Sequence, residues 1–191
     1  MKKDNVKLYF VALVPGEPVY SRVLDLKKEV CTRFASKAAL RSPPHITLHM
    51  PFQWPQEKEA RLASSLTTLA AEIAVFDVSL QGFGAFPPRV IYVQVEESEP
   101  LRALQQAVQK NARSRWHIYP KQDSRPFRPH MTIAFRDLKK PVFAAAWATF
   151  ASRRFTGTFP ANEICLLKHN GKSWDIAHTA PLARIFRENR E

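Results

Sequence analysis

Two five-residue segments of this chain match position by position: Pro44-His45-Ile46-Thr47-Leu48 and Pro129-His130-Met131-Thr132-Ile133. Each reads proline, histidine, apolar, threonine, apolar. An imidazole takes or gives a proton near neutral pH, and a threonine hydroxyl can donate a hydrogen bond to a charged oxygen. On an extended strand, alternate side chains share a face. His45 and Thr47 then stand together, anchored by a buried face of Ile46 and Leu48, and His130 and Thr132 stand together over Met131 and Ile133. Two such strands facing one cleft would offer a substrate two histidines, the minimum equipment for general acid and general base catalysis. With six histidines in the chain, two such matches arise by chance on the order of once in a thousand. Either motif alone reads equally well as a packed strand histidine beside a good strand former.

The motif strands need elements to hold them. Val6 to Val14 reads as an apolar, central first strand. Helical spacing of Val23, Leu26, Val30, Phe34 and Ala38 predicts a helix over Val19 to Leu40, stopped by Ser42-Pro43-Pro44, which launches the first motif strand, His45 to Phe52. Gln56 to Ile73 reads as a second helix. Strands follow at Phe76 to Leu80 and Val90 to Val95, joined by the connection Gly82 to Pro88, and then a third helix, Pro100 to Trp116. A basic, proline-rich loop runs from Trp116 to Pro129, ahead of the second motif strand, His130 to Phe135. A short helix at Pro141 to Ala151 precedes strands at Arg154 to Phe159, Glu163 to Lys168 and Ser173 to His178. The order reads as two related halves, and predicts one α+β domain over 1–191 with two lobes flanking a cleft.

Composition narrows the partners. At 191 residues the chain can bury a sizeable core. No apolar run reaches the ~20 residues that span a bilayer. Lys7 interrupts the first apolar stretch and Pro15-Gly16-Glu17-Pro18 follows it without a cleavage site, so the start reads as a strand, not a secretory signal, and the expectation is a cytoplasmic protein with no membrane partner. Cys31 and Cys165 lack metal-ligand spacing and are expected to be reduced, packed thiols. Twenty-nine Lys and Arg against seventeen Asp and Glu leave +12, a field that attracts polyanions, nucleic acid foremost.

On its two His-x-Thr motifs the chain resembles the 2H phosphoesterase superfamily, and within it the 2′-5′ RNA ligase-like branch. The resemblance covers most of the chain, since the strand and helix order around both motifs also fits. It implies a bilobal, internally duplicated fold with pseudo-two-fold symmetry, two antiparallel sheets flanking a central cleft and helices outside. It further implies that His45, Thr47, His130 and Thr132 are catalytic, that no metal or nucleotide cofactor is needed, and that the substrate is RNA or a nucleotide carrying a 2′,3′-cyclic phosphate or a 2′-5′ linkage. A monomer is expected.

Around the motifs, Lys121, Arg125, Arg128 and Arg136 could neutralise neighbouring phosphates. Arg128 is the best placed of them, two residues before His130. Phe52, Tyr119 and Phe127, with Trp54, could stack a base, although aromatic residues at such places more often pack in a core. His49 follows the first motif, where the second has Ala134, and the alternation expects it at the solvent end of the His45 face. The competing readings are an RNA-binding protein on the same scaffold with little catalysis, and a metal-dependent hydrolase. Neither motif contains the Asp or Glu that the metal reading would want.

Overall fold

The computed structural model describes residues 5–119 and 126–184. Its elements run β1 (Val6–Leu13), α1 (Val19–Phe34), β2 (Ile46–Pro55), α2 (Glu59–Ala70), β3 (Phe76–Phe86), β4 (Val90–Val95), α3 (Glu99–Trp116), β5 (His130–Ala134), α4 (Lys140–Ala151), β6 (Thr156–Ala161), β7 (Glu163–His169) and β8 (Trp174–Pro181). Two antiparallel sheets form, in the orders β2-β1-β7-β8 and β5-β4-β3-β6. Each motif strand is an edge strand beside an inner one, and the edges β2 and β5 meet.

The α+β class and the two sheets follow the expectation, with one correction to the chain path. The halves are not consecutive. β7 and β8 return to pair with β1, so the first sheet is built from both ends of the chain and the second from its middle. The helices cross over as well. α1 leaves the first sheet and packs on β5 and β6 of the second, while α3 leaves the second and packs on β2 of the first. One core runs through both sheets, from Tyr9, Ile46 and Leu48 to Ile91, Met131 and Ile133.

Local chemistry sets the remaining differences. α1 stops at Phe34, short of the predicted Leu40, because Ala35 turns left-handed at φ 54° and its N–H closes on the Cys31 carbonyl. No glycine marks that stop. A separate 3₁₀ turn, Ala38–Arg41, then leads to the motif. β3 continues to Phe86, through what reads as a connection, by bulging around Gly82 at φ 68°. Ser98 caps α3 by accepting from the Leu101 N–H, with Pro100 in its first turn.

Candidate active site

His45 and Thr47 stand at the start of β2, and Ile46 and Leu48 between and beyond them are buried. On β5, Met131 and Ile133 are buried while His130 and Thr132 are only half-buried. The alternation read from the sequence is therefore present on both strands. β2 and β5 are adjoining edges, and the charge of His130 bears on His45 across their junction.

Both rings are held in the same way. His45 Nδ1 lies 2.7 Å from the Pro43 carbonyl, and His130 Nδ1 lies 2.7 Å from the Arg128 carbonyl. A carbonyl only accepts, so each Nδ1 carries the proton and each Nε2 keeps the lone pair. Aromatic faces brace the rings. Phe10 lies against His45 with centroids 4.9 Å apart, and Trp174 meets Phe10 edge-on at 4.7 Å. Across the junction, Tyr92 and Phe86 flank His130 at 5.0 and 5.2 Å. Gly84 makes room for Tyr92: a Cβ there would collide with its ring.

These surroundings depress both histidines. Burial pushes His45 down most, the Lys27 ammonium next, and the His130 charge further. The bond to the Pro43 carbonyl opposes them, and the result is pushed down to about 4. Burial also pulls His130 below the ordinary value, opposed by its bond to Arg128. Among the described residues no group of three His, Cys, Asp or Glu side chains is placed to hold a metal ion, and no helix is long and apolar enough to cross a membrane.

The other candidates distribute differently. Arg128 is exposed, and its main chain holds His130. Tyr119 is exposed, whereas Phe127 is partly buried against the core. Lys121 and Arg125 lie outside the described residues. Phe52 is a correction: it is buried, packing on Tyr9 and Trp116. Tyr9 and Phe10 are neighbours on β1 and point to opposite faces, so Phe52 lies on the core side of the sheet and His45 on the other. Trp54 is buried too, giving its indole N–H to the Lys58 carbonyl.

His49 is a second correction. β2 carries two register shifts against β1, one on each side of the pair Val11↔His49. The shift turns His49 away from the His45 face and buries it against Phe52 and Trp116. Gln109 of α3 donates to the Leu48 carbonyl beside the irregularity at 2.8 Å.

Five residues around the histidines, Lys27 and the aromatic Phe10, Phe86, Tyr92 and Trp174, went unread as such in the sequence. Phe10, Tyr92 and Trp174 sit on strands whose facing depends on distant pairing. Lys27, four residues after Val23 on the apolar stripe of α1, is 1% exposed. A lysine on such a stripe was the available signal. A separate hollow beside Lys7, Gln53 and His169 is lined by no motif residue.

Comparison with known proteins agrees with this architecture. A protein of Geobacillus sp. (strain WCH70), provisionally named a phosphoesterase, is 29% identical over 175 residues, spanning 90% of this chain and 94% of its own. A similarly named protein of Geobacillus kaustophilus (strain HTA426) is 28% identical over 162 residues, or 83% of this chain and 88% of that one. Among solved structures, TT0787 of Thermus thermophilus superimposes with TM-score 0.67 at 23% identity, covering 94% of this chain and 99% of that one. E. coli LigT, solved in complex with 3′-AMP, gives TM-score 0.63 at 18% identity over 93% of this chain and 99% of LigT. The family model of the 2′-5′ RNA ligase superfamily matches residues 15–173, a span that takes in both histidine motifs, and the chain belongs to that superfamily of two-histidine phosphoesterases.

Proposed function

We propose that this protein is a metal-independent phosphodiesterase that opens 2′,3′-cyclic phosphates on RNA ends or nucleotides, with His45 and His130 as paired acid and base. The observation that carries the reading is the shared tautomer: each Nδ1 proton is tied to its own upstream carbonyl, so each Nε2 is the nitrogen left to exchange a proton. Opening a cyclic phosphodiester by in-line attack needs one neutral imidazole, to take a proton from water, and one imidazolium, to give a proton to the departing ribose oxygen. Thr47 and Thr132 beside them supply hydroxyl donors for the equatorial oxygens, where charge concentrates. Phe10 and Trp174 on one side, and Phe86 and Tyr92 on the other, offer apolar walls for a nucleoside.

Two further observations support a nucleotide substrate. The net charge of +12 favours polyanions, and a protein of this fold has been crystallised with a nucleoside monophosphate. If a 5′-hydroxyl of RNA takes the place of water, the same geometry joins strands through a 2′-5′ linkage, as a reverse or side reaction. The continuous core supports treating both sheets as lobes of one domain.

The test is a panel assayed in excess chelator: RNA ending in a 2′,3′-cyclic phosphate, a cyclic mononucleotide, a 2′-5′-linked oligoadenylate and ADP-ribose 1″,2″-cyclic phosphate. Opening of a 2′,3′-cyclic phosphate is the expected result. Activity that disappears with chelator supports the metal-dependent reading instead. Salt-sensitive RNA binding with no turnover supports a binding protein on this scaffold.

A further inference from the structure

The two motifs match at the imidazoles and differ behind them. The Pro43 carbonyl that receives the His45 proton also accepts, at 3.1 Å, from the ammonium of Lys27. Lys27 reaches it from the buried face of α1, beside Val23 and Val30, and its other two N–H groups go to the Ala39 and Ser42 carbonyls at 3.1 and 3.0 Å. Three donors on three carbonyls is the geometry of a charged ammonium, since a neutral amine has only two N–H groups. Among the described residues no carboxylate lies within 4.0 Å of Lys27. Behind His130, among the described residues, no cation shares the Arg128 carbonyl.

Given the phosphodiester chemistry proposed above, we propose that Lys27 is a positioning residue that breaks the symmetry of the pair: by fixing the Pro43 carbonyl and placing a buried positive charge behind His45, it keeps that ring neutral as the proton acceptor and leaves His130 as the proton donor. The shared carbonyl keeps Lys27 Nζ and His45 Nδ1 within about 6 Å, where at a protein-like effective dielectric of about 20 a unit charge is worth more than a pKa unit.

The other charged groups near this corner do not reverse the effect. His130, on β5, adds to it. Asp137, beyond β5, is engaged with Ser36 and with the Lys37 and Ala38 N–H groups. Lys37 and Arg41, flanking the 3₁₀ turn, are exposed cations. Phe10 on β1 is apolar. Burial pushes Lys27 itself down to about 7, so it is charged over the acidic range in which His45 would otherwise gain its second proton.

In the reaction so assigned, water gives a proton to His45 Nε2 as its oxygen bonds to phosphorus. The bond from phosphorus to the leaving ribose oxygen breaks, and that oxygen takes the proton from His130 Nε2. One proton enters the pair and one leaves.

The test combines NMR titration of the two imidazoles with a change of leaving group. His45 is expected to gain its proton at lower pH than His130. Lys27→Met should raise the His45 midpoint by about one unit while moving His130 far less. On a nitrophenyl phosphodiester, whose leaving group departs without a proton, His130→Ala should cost at least about tenfold less than on the cyclic phosphate, and His45→Ala should cost the same on both. A His45 midpoint unmoved by Lys27→Met, a His130 midpoint below that of His45, or leaving-group relief in His45→Ala would each overturn the assignment. If Lys27→Met does not fold, the wild-type midpoints and the leaving-group pattern decide it. The titrations need no substrate. A protein that opens no cyclic phosphate therefore fails the phosphodiesterase reading, and the Lys27 effect is judged on the midpoints alone.

Discussion

His45 and His130 make the same bond: each gives its Nδ1 proton to the carbonyl two residues upstream, at 2.7 Å in both motifs. A ring tied this way keeps its tautomer and its orientation, so proton exchange is confined to Nε2. The equivalence arises because each motif places its histidine where a proline-containing segment enters an edge strand.

The pH dependence follows from the shared environment. Both rings are held below the ordinary histidine value of about 6.5. The profile of kcat/KM, which reports the free enzyme, should be a bell on the acid side of neutrality, rising near pH 4 and falling below pH ~6.5. A bound phosphodiester anion stabilises the imidazolium, so the kcat profile should be displaced to higher pH. A kcat/KM profile that is flat, or has its maximum above pH 8, with chemistry limiting, would contradict this.

Gly84 and Tyr92 are cross-strand partners, and the absence of a side chain at Gly84 is what seats the Tyr92 ring beside His130. Gly84→Ala should push that ring onto His130 or Phe86. The expected result is a fall in turnover of roughly ten- to a hundredfold with little change in thermal stability, read by steady-state kinetics beside a circular-dichroism melt.

Asp137 ties the segment after β5 to the segment before the first motif, accepting from Ser36 Oγ and from the Lys37 and Ala38 N–H groups at 2.7 to 2.8 Å. Burial raises its pKa, and these bonds more than offset that, so the net shift is downward. A carboxyl depressed on folding adds stability above its unfolded pKa and loses it as pH falls through the folded value. Asp137→Asn should therefore be less stable than wild type at pH 7, by about 1 kcal/mol for the weakened hydrogen bonds, with the gap closing in acid, below the ordinary aspartate value of about 3.9. Denaturant melts at both pH values check the sign.

Ala35 occupies a left-handed conformation, φ 54° and ψ 23°, that favours glycine. Ala35→Gly should stabilise the fold by about 0.5–1 kcal/mol, raising Tm by about 1–4 °C. No gain in Tm would mean that glycine's greater unfolded-chain entropy cancels the relief.

The sequence makes the motif faces legible because a period of two needs only local geometry. Four of its alternating positions in each motif behave as read, from His45 to Leu48 and from His130 to Ile133. His49 escapes the same rule because two register shifts in β2 re-face the strand, and nothing in Leu48-His49-Met50-Pro51 announces them. Phe52, an even number of residues from Ile46 and Leu48, keeps their side of the strand and so falls in the core. The crossing of α1 and α3 onto opposite sheets, and the return of β7 and β8 to β1, are long-range choices that element order alone does not specify. Lys27 was visible as a residue but not as a buried one, because a long side chain on an apolar stripe ordinarily reaches solvent.

The most direct test is the single-turnover rate of 2′,3′-cyclic-phosphate opening in excess chelator, for wild type beside His45→Ala and His130→Ala, with circular dichroism to check the fold. Wild type should open the ring, and each variant should fall by about 10²- to 10⁴-fold while folding normally. A folded variant of either kind that turns over at the wild-type rate would contradict the paired-histidine account.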